Sequence, residues 1–166
     1  MPDELLDLVD ENDVVIGTIL RSEANSNPHV FHREIGVLIV DSKKRVLMQQ
    51  RSATKKTYPL YWIVSCAGHV PAGMSPEDAA HKELQEELGF DTALTFVEKY
   101  ALQIETESIF AYMYQGVYEG QTIVIDPDET EQYRFFSRDE WQTLIDSGAQ
   151  YDDDSSRIAF EYWDAL

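Results

Sequence analysis

The chain of 166 residues has a single cysteine, Cys66, so no internal disulfide can form and a reducing compartment suits it. Basic residues are scarce: 13 Lys and Arg stand against 31 Asp and Glu, a formal net charge of -18. That balance repels nucleic-acid polymers and anionic membranes, and leaves a small phosphorylated molecule as the acceptable polyanion. Long apolar runs are also missing. The longest, Ile35 to Val40, falls far short of the roughly 20 residues that span a bilayer, and the opening MPDELLDLVD is acidic where a secretory signal would be basic and then apolar. The expectation is a soluble, cytoplasmic protein with no membrane partner. No repeat or linker divides the chain, so residues 1–166 read as one domain, large enough to bury about two thirds of its unfolded surface. Nothing in it fixes an oligomeric state.

What is present centres on Ala67 to Phe90, AGHVPAGMSPEDAAHKELQEELGF. Ser75 suits an N-cap, Pro76 the first helical position, Asp78 a capping-box-like spacing and Gly89 a left-handed C-cap, which predicts a helix from Pro76 to Leu88. At 100° per residue Glu83, Glu86 and Glu87 share one arc, and Ala80, Leu84 and Leu88 form an adjoining apolar stripe, with Ala79 leaving room. Three like charges near a helix C-terminus repel one another and the dipole. Lys82 can pair with Glu86, yet one lysine does not neutralise three carboxylates; hard oxygen donors in this number suit Mg²⁺ or Mn²⁺. A solvated acidic face is the bland alternative.

In chain order, Leu5 to Val9 and Val14 to Leu20 read as an opening hairpin within residues 4–20, and Ser22 to Pro28 as a polar connection. Strands are expected at Val30 to Val40, Val46 to Arg51, Trp62 to Ala67, Leu94 to Ile104, Ile109 to Val117 and Tyr133 to Phe136. Ser137 can cap a helix to about Ile145, and a last amphipathic helix within residues 154–166 offers Ile158, Ala159, Tyr162 and Trp163 to the body. Pattern alone gives an α+β or α/β fold.

The central segment resembles the Nudix box, G-x5-E-x7-R-E-U-x-E-E-x-G-U: Gly68, Glu83, Leu84, Glu86, Glu87, Gly89 and Phe90 are in register, whereas Met74 replaces the first glutamate and Lys82 the arginine. The resemblance implies an α/β fold of the Nudix type, an α/β/α sandwich with a mixed β-sheet, here with an extra N-terminal hairpin. In the family the first glutamate and the arginine pair and hold the loop to the helix, so the two departures touch that support and spare the ligands.

From Leu6 to about Trp141 the chain is also similar to the isopentenyl-diphosphate isomerases and to isomerase-like Nudix hydrolases. Aligned to that branch, the isomerase cysteine falls on Ala67, and Cys66 should point to the opposite face of its strand. Of the isomerase metal ligands His32, His69 and Glu107 match, while Asn25 and Ile109 replace the others. The isomerases largely lose the first glutamates of the R-E-U-x-E-E segment, whereas this chain keeps Glu83, Glu86 and Glu87 together.

The implied function is divalent-metal-dependent hydrolysis of a diphosphate linkage in a nucleoside diphosphate derivative or similar small diphosphate. Glu83, Glu86, Glu87 and the Gly68 carbonyl would hold Mg²⁺ or Mn²⁺. Glu83, Glu86 and Lys82 form the catalytic group, with Glu86 as ligand or base and Glu129 and Glu131, in the acidic loop before the last strand, as alternative bases. Arg21, Arg51 and Lys55 fall where the isomerases hold a diphosphate. His32, His69 and Glu107 are secondary contacts, for which a structural role is equally acceptable. Isomerase-like activity, or a catalytically weak nucleotide-binding module, are the alternatives.

Overall fold

The computed structural model describes residues 2–166. Its strands are β1 (Leu5–Val9), β2 (Val15–Leu20), β3 (Phe31–Val40), β4 (Val46–Arg51), β5 (Trp62–Ile63), β6 (Cys66–His69), β7 (Leu94–Gln103), β8 (Ser108–Val117) and β9 (Thr130–Phe136). Its helices are α1 (Arg21–Ala24), α2 (Pro76–Leu88), α3 (Arg138–Asp146) and α4 (Asp153–Asp164). No helix among the described residues is long and apolar enough to cross a membrane.

All nine strands join one mixed sheet organised on β3. Along one edge β3 pairs in parallel with β8 over its whole length, from Phe31 opposite Ser108 to Val40 opposite Val117. Along the other edge β6 takes Glu34 to Val37 and β4 takes Ile39 and Val40. Where β4 and β6 part company Ser65 fills the gap: its hydroxyl accepts from Ile39 N–H at 2.8 Å and donates to the Leu47 carbonyl at 2.6 Å. This is why the strand expected over Trp62 to Ala67 appears as two short ones. The backbone leaves the ladder so that a buried hydroxyl can satisfy both neighbours, as buried polar groups require.

Period-2 alternation on β3 sends Ile35, Val37 and Ile39 to one face and Leu38 and Val40 to the other. The first face is covered by α2 through Ala79, Ala80, Leu84 and Leu88, the second by α3 and α4 through Trp141, Ile158, Ala159 and Trp163. The result is the expected sandwich of helices on both faces of a mixed sheet. Helix α2 keeps its expected bounds: the Ser75 side chain accepts from Asp78 N–H at 3.1 Å, and Gly89 closes the helix at φ 74°. Truncating Leu84 or Leu88 would open a cavity there at about 2–5 kcal/mol.

The N-terminal hairpin is docked at its turn. Asp13, itself at φ 61°, takes hydrogen bonds from Arg33 Nε at 2.6 Å, Lys99 Nζ at 3.2 Å and the Tyr112 hydroxyl. Burial would raise the Asp13 carboxyl, but these donors together hold it below the usual carboxylate range. The polar connection contains the one-turn helix α1, and the last strand begins at Thr130, three residues before the expected Tyr133.

Candidate functional site

The four residues of β6 alternate between the two faces. Cys66 packs with α2 and Ala67 with the opposite core, as the sequence predicts. The Cys66 thiol is fully buried and pushed well above its ordinary value, first by burial and then by the charges of Glu87 and Glu83, so it is no nucleophile.

On the α2 face, Glu83 lies directly over Gly68. A Cβ on residue 68 would sit 2.5 Å from the Glu83 carboxyl carbon, so only glycine lets the strand approach this carboxylate. Burial pushes Glu83 up; Lys82 opposes this, and Glu86 and Glu4 add to it. Glu87 is held up at about 8, by burial first, against a hydrogen bond from Gln49 Nε2 at 2.9 Å and with Glu83 repelling it. Glu86 is exposed and accepts from Lys82 Nζ at 3.1 Å, the pair expected from the sequence; Lys82 stands 3.6 Å from Glu83. Two half-buried carboxylates, Glu83 over Gly68 and Glu87 at the Ala67 backbone, thus lie together without a cation sufficient for both. That donor set fits a hard divalent ion held by Glu83 and Glu87 with help from the strand backbone.

The loop before α2 has an unexpected support. The Gly73 N–H donates to the Asp7 carboxylate at 3.2 and 3.3 Å, the Ala72 N–H donates to the Leu5 carbonyl at 2.8 Å, and Leu6 bridges Pro71. Met74 turns into the α2 core. Strand β1 therefore holds the loop that a glutamate–arginine pair holds where the box is complete.

On the other face, His32, Glu34, His69 and Glu107 bring one ligand atom each to within 4.8 Å of one another. The imidazoles stack at 5.3 Å, with His32 Nε2 3.4 Å from Glu107 and 3.8 Å from Glu34, and His69 Nε2 3.2 Å from Glu34. His69 Nε2 also meets Asn25 Oδ1 at 2.9 Å, which places Asn25 at the edge of the cluster. Both ring nitrogens of His32 and one Glu107 oxygen are buried without a hydrogen-bond partner. Burial lowers both histidines, but Glu107 and Glu34 outweigh it at His32 and hold that imidazole at about 9, whereas His69 stays below its ordinary value. Orphaned nitrogens beside carboxylates are the mixed donor set of a borderline divalent metal.

Glu34 was not among the expected site residues. Its signal is the strand period: two residues after His32 on β3 it shares the histidine's face, and it stands opposite His69 in the β3–β6 register. Gln49, the partner of Glu87, was also missed.

The three basic residues expected around a diphosphate have different partners. Lys55 Nζ meets Glu129 at 2.6 Å, and Glu129 in turn raises Glu87, which sets both on the glutamate side. Arg51 donates from Nε and Nη2 to the Thr57 carbonyl and ties down the loop after β4. Arg21 stands 3.5 Å from Glu4, and its charge acts on Glu34 and His69. Beside the histidine cluster lies a cavity of about 120 Å³, walled by Val64, Ala67, Leu102 and Met113, with Glu34 at its lining.

These features define a class: an α/β sandwich in which a capped helix presses carboxylates against a glycine of the central sheet. The NUDIX domain family matches residues 30–156, and the chain belongs to that family. It is 32% identical over 149 residues to isopentenyl-diphosphate Delta-isomerase 2 of Photorhabdus laumondii, spanning 87% of this chain and 84% of the relative. It is 43% identical over 88 residues to an uncharacterized Nudix hydrolase of Nostoc sp., spanning 53% of this chain and 52% of that one. Among solved structures, DR0079 from Deinococcus radiodurans is similar at a TM-score of 0.81 and 23% identity, covering 96% of this chain and 99% of that chain, a likeness of fold.

Proposed function

We propose that the protein is a divalent-metal-dependent hydrolase that cleaves the diphosphate linkage of a nucleoside diphosphate derivative or similar small diphosphate. The observation that carries this is the pair Glu83 and Glu87, half-buried at the backbone of Gly68 and Ala67 and both raised. Family membership and the likeness to a Nudix hydrolase support it. Glu83, Glu87 and the Gly68 carbonyl would hold Mg²⁺ or Mn²⁺, and Glu86 would complete the set or act as the base toward water. A divalent ion bound there supplies Lewis-acid polarisation of a phosphorus and activation of water. Lys82 keeps Glu86 turned to the same side, and Lys55, at the Glu129 rim, offers charge to the phosphate.

A second reading, isomerase-like chemistry on a short prenyl diphosphate, is favoured by the histidine cluster, its adjoining cavity and the Photorhabdus relative. Against it stands Ala67, which carries no group able to exchange a proton, where that branch has a cysteine. One assay separates the two: a panel of nucleoside diphosphate derivatives and isopentenyl diphosphate, with Mg²⁺ or Mn²⁺, scored by product mass and phosphorus NMR. Release of phosphate or monophosphate that Glu83→Gln abolishes is expected. Conversion of isopentenyl to dimethylallyl diphosphate, indifferent to Glu83→Gln, would overturn the hydrolase reading.

A further inference from the structure

A buried chain of polar side chains runs from β9 through β4 to α2. Thr130 (1% exposed) donates its hydroxyl to Gln49 Oε1 at 2.7 Å, and Gln49 (3% exposed) donates Nε2 to Glu87 Oε2 at 2.9 Å. We propose that Gln49 is the positioning residue of Glu87 as a metal ligand and that Thr130 anchors Gln49 in that pose; this rests on the reading of the glutamate face as a cation site.

The argument is one of valence. A carboxamide offers donors at one end and an acceptor at the other, and Glu87 in the ionised form that a bound cation would hold only accepts. With Nε2 on Oε2 of Glu87 and the Ala67 backbone also donating to this carboxylate, its pose is fixed from two sides while lone pairs remain for a cation. Were the amide turned over, two acceptors would face each other in a buried site, which costs far more than the same contact in water. Thr130 gives Oε1 its only side-chain donor, so the orientation that serves Glu87 also leaves no buried atom of Gln49 unmatched.

The backbone is arranged for this contact. The β4–β9 ladder runs regularly from Val46 opposite Phe136 to Gln50 opposite Gln132, then slips so that Arg51 faces Thr130 instead of Glu131. Residues 49 and 51 share a face of β4, and a cross-strand partner shares the face of its mate. An unbroken ladder would therefore aim the Glu131 carboxylate toward Gln49 and Glu87; the bulge substitutes a neutral hydroxyl. A mere packing defect would not need a threonine at the one position where a glutamate would repel the ligand.

The test is Mn²⁺ affinity, measured by electron paramagnetic resonance and calorimetry on the full chain in a background carrying both His32→Gln and His69→Gln, which removes both imidazoles of the other cluster. Gln49→Leu should weaken binding about tenfold or more, Thr130→Val several-fold, and Thr130→Ser should restore it, all with unchanged far-UV circular dichroism; outer-sphere partners of metal ligands act on this scale, roughly 10–100-fold. Should Gln49→Leu fail to fold, the Thr130→Val and Thr130→Ser pair decides. Mn²⁺ affinity within twofold of the parent in folded Gln49→Leu or Thr130→Val would overturn the proposal, even if diphosphate hydrolysis is observed. Weakened Mn²⁺ binding in a protein that hydrolyses no diphosphate would uphold it and overturn the functional reading alone.

Discussion

Gly68 and His69 are neighbours on one strand, yet they serve clusters on opposite faces of the sheet, and the two clusters solve the same electrostatic difficulty in opposite ways. On the α2 face Glu83 and Glu87 are both raised, because burial and mutual repulsion exceed what Lys82 and Gln49 return. On the other face Glu34 is lowered despite its burial, because His32 and His69 lie beside it, and His32 is raised in exchange. In the metal-free chain His32 answers the carboxylates of its cluster, whereas Lys82 does not offset the burial of Glu83 and Glu87, so the glutamate face has more to gain from an external cation. Number of carboxylates is therefore a poorer guide to a cation site than whether a protein base already answers them.

The largest effect that could break this contrast is catalytic. Glu87→Gln should lower diphosphate hydrolysis by roughly a hundredfold or more, as removal of a group that stabilises transition-state charge does, while His32→Gln should leave it within about tenfold. Steady-state rates at saturating Mg²⁺ read the difference, and the reverse ranking would transfer the reaction to the histidine face.

A second effect is on stability as a function of pH. Glu87 rises from 4.5 to about 8 on folding, so folding favours its neutral form; its contribution is complete below 4.5 and is lost as pH climbs through about 8. His32 rises from 6.5 to about 9, so its contribution is complete below 6.5 and is lost toward 9. Without divalent metal the melting temperature should fall between pH 5 and pH 9.5. Glu87→Gln should flatten the lower part of that fall and His32→Gln the upper part, by calorimetry across the range. A curve that neither substitution changes would mean the two faces do not differ as argued.

The smallest effect concerns the loop. Asp7→Ala should cost about 1 kcal/mol, a drop of roughly 2–4 °C for a domain of this size, and should speed hydrogen exchange at the Ala72 and Gly73 amides more than within α2. Unchanged exchange there would remove β1 as the loop's support.

Much of this was legible in the chain, and the limit is one of range. Helix α2 runs over the expected residues because its signals, Ser75, Pro76 and Gly89, act within a turn of its ends. The faces of Cys66 and Ala67 follow from strand alternation. What escaped depends on pairings across the sheet: Glu34 matters because His69 lies opposite it, and Gln49 because Glu87 and Thr130 meet it from other elements. The early start of β9 and the break at Ser65 have the same origin, a bulge in one ladder and a hydroxyl bridging two others. Local periodicity puts Glu34 on the face of His32, but none of these cross-sheet pairings leaves a mark in it.

The hairpin clamp gives the loop a particular kind of order. Helix α2 carries its own caps and is set by nearby sequence, but the turn before it is fastened to Leu5, Leu6 and Asp7, more than 60 positions earlier. Its firmness is thus a property of the closed chain and not of the segment. A molecule cut in the exposed turn around Glu11 and Asn12 would retain β1 only through its pairing, and the first function to suffer would be the one at the far end of that strand's reach. On the proposed function, metal affinity at the glutamate face would then report on whether the amino-terminal hairpin is intact.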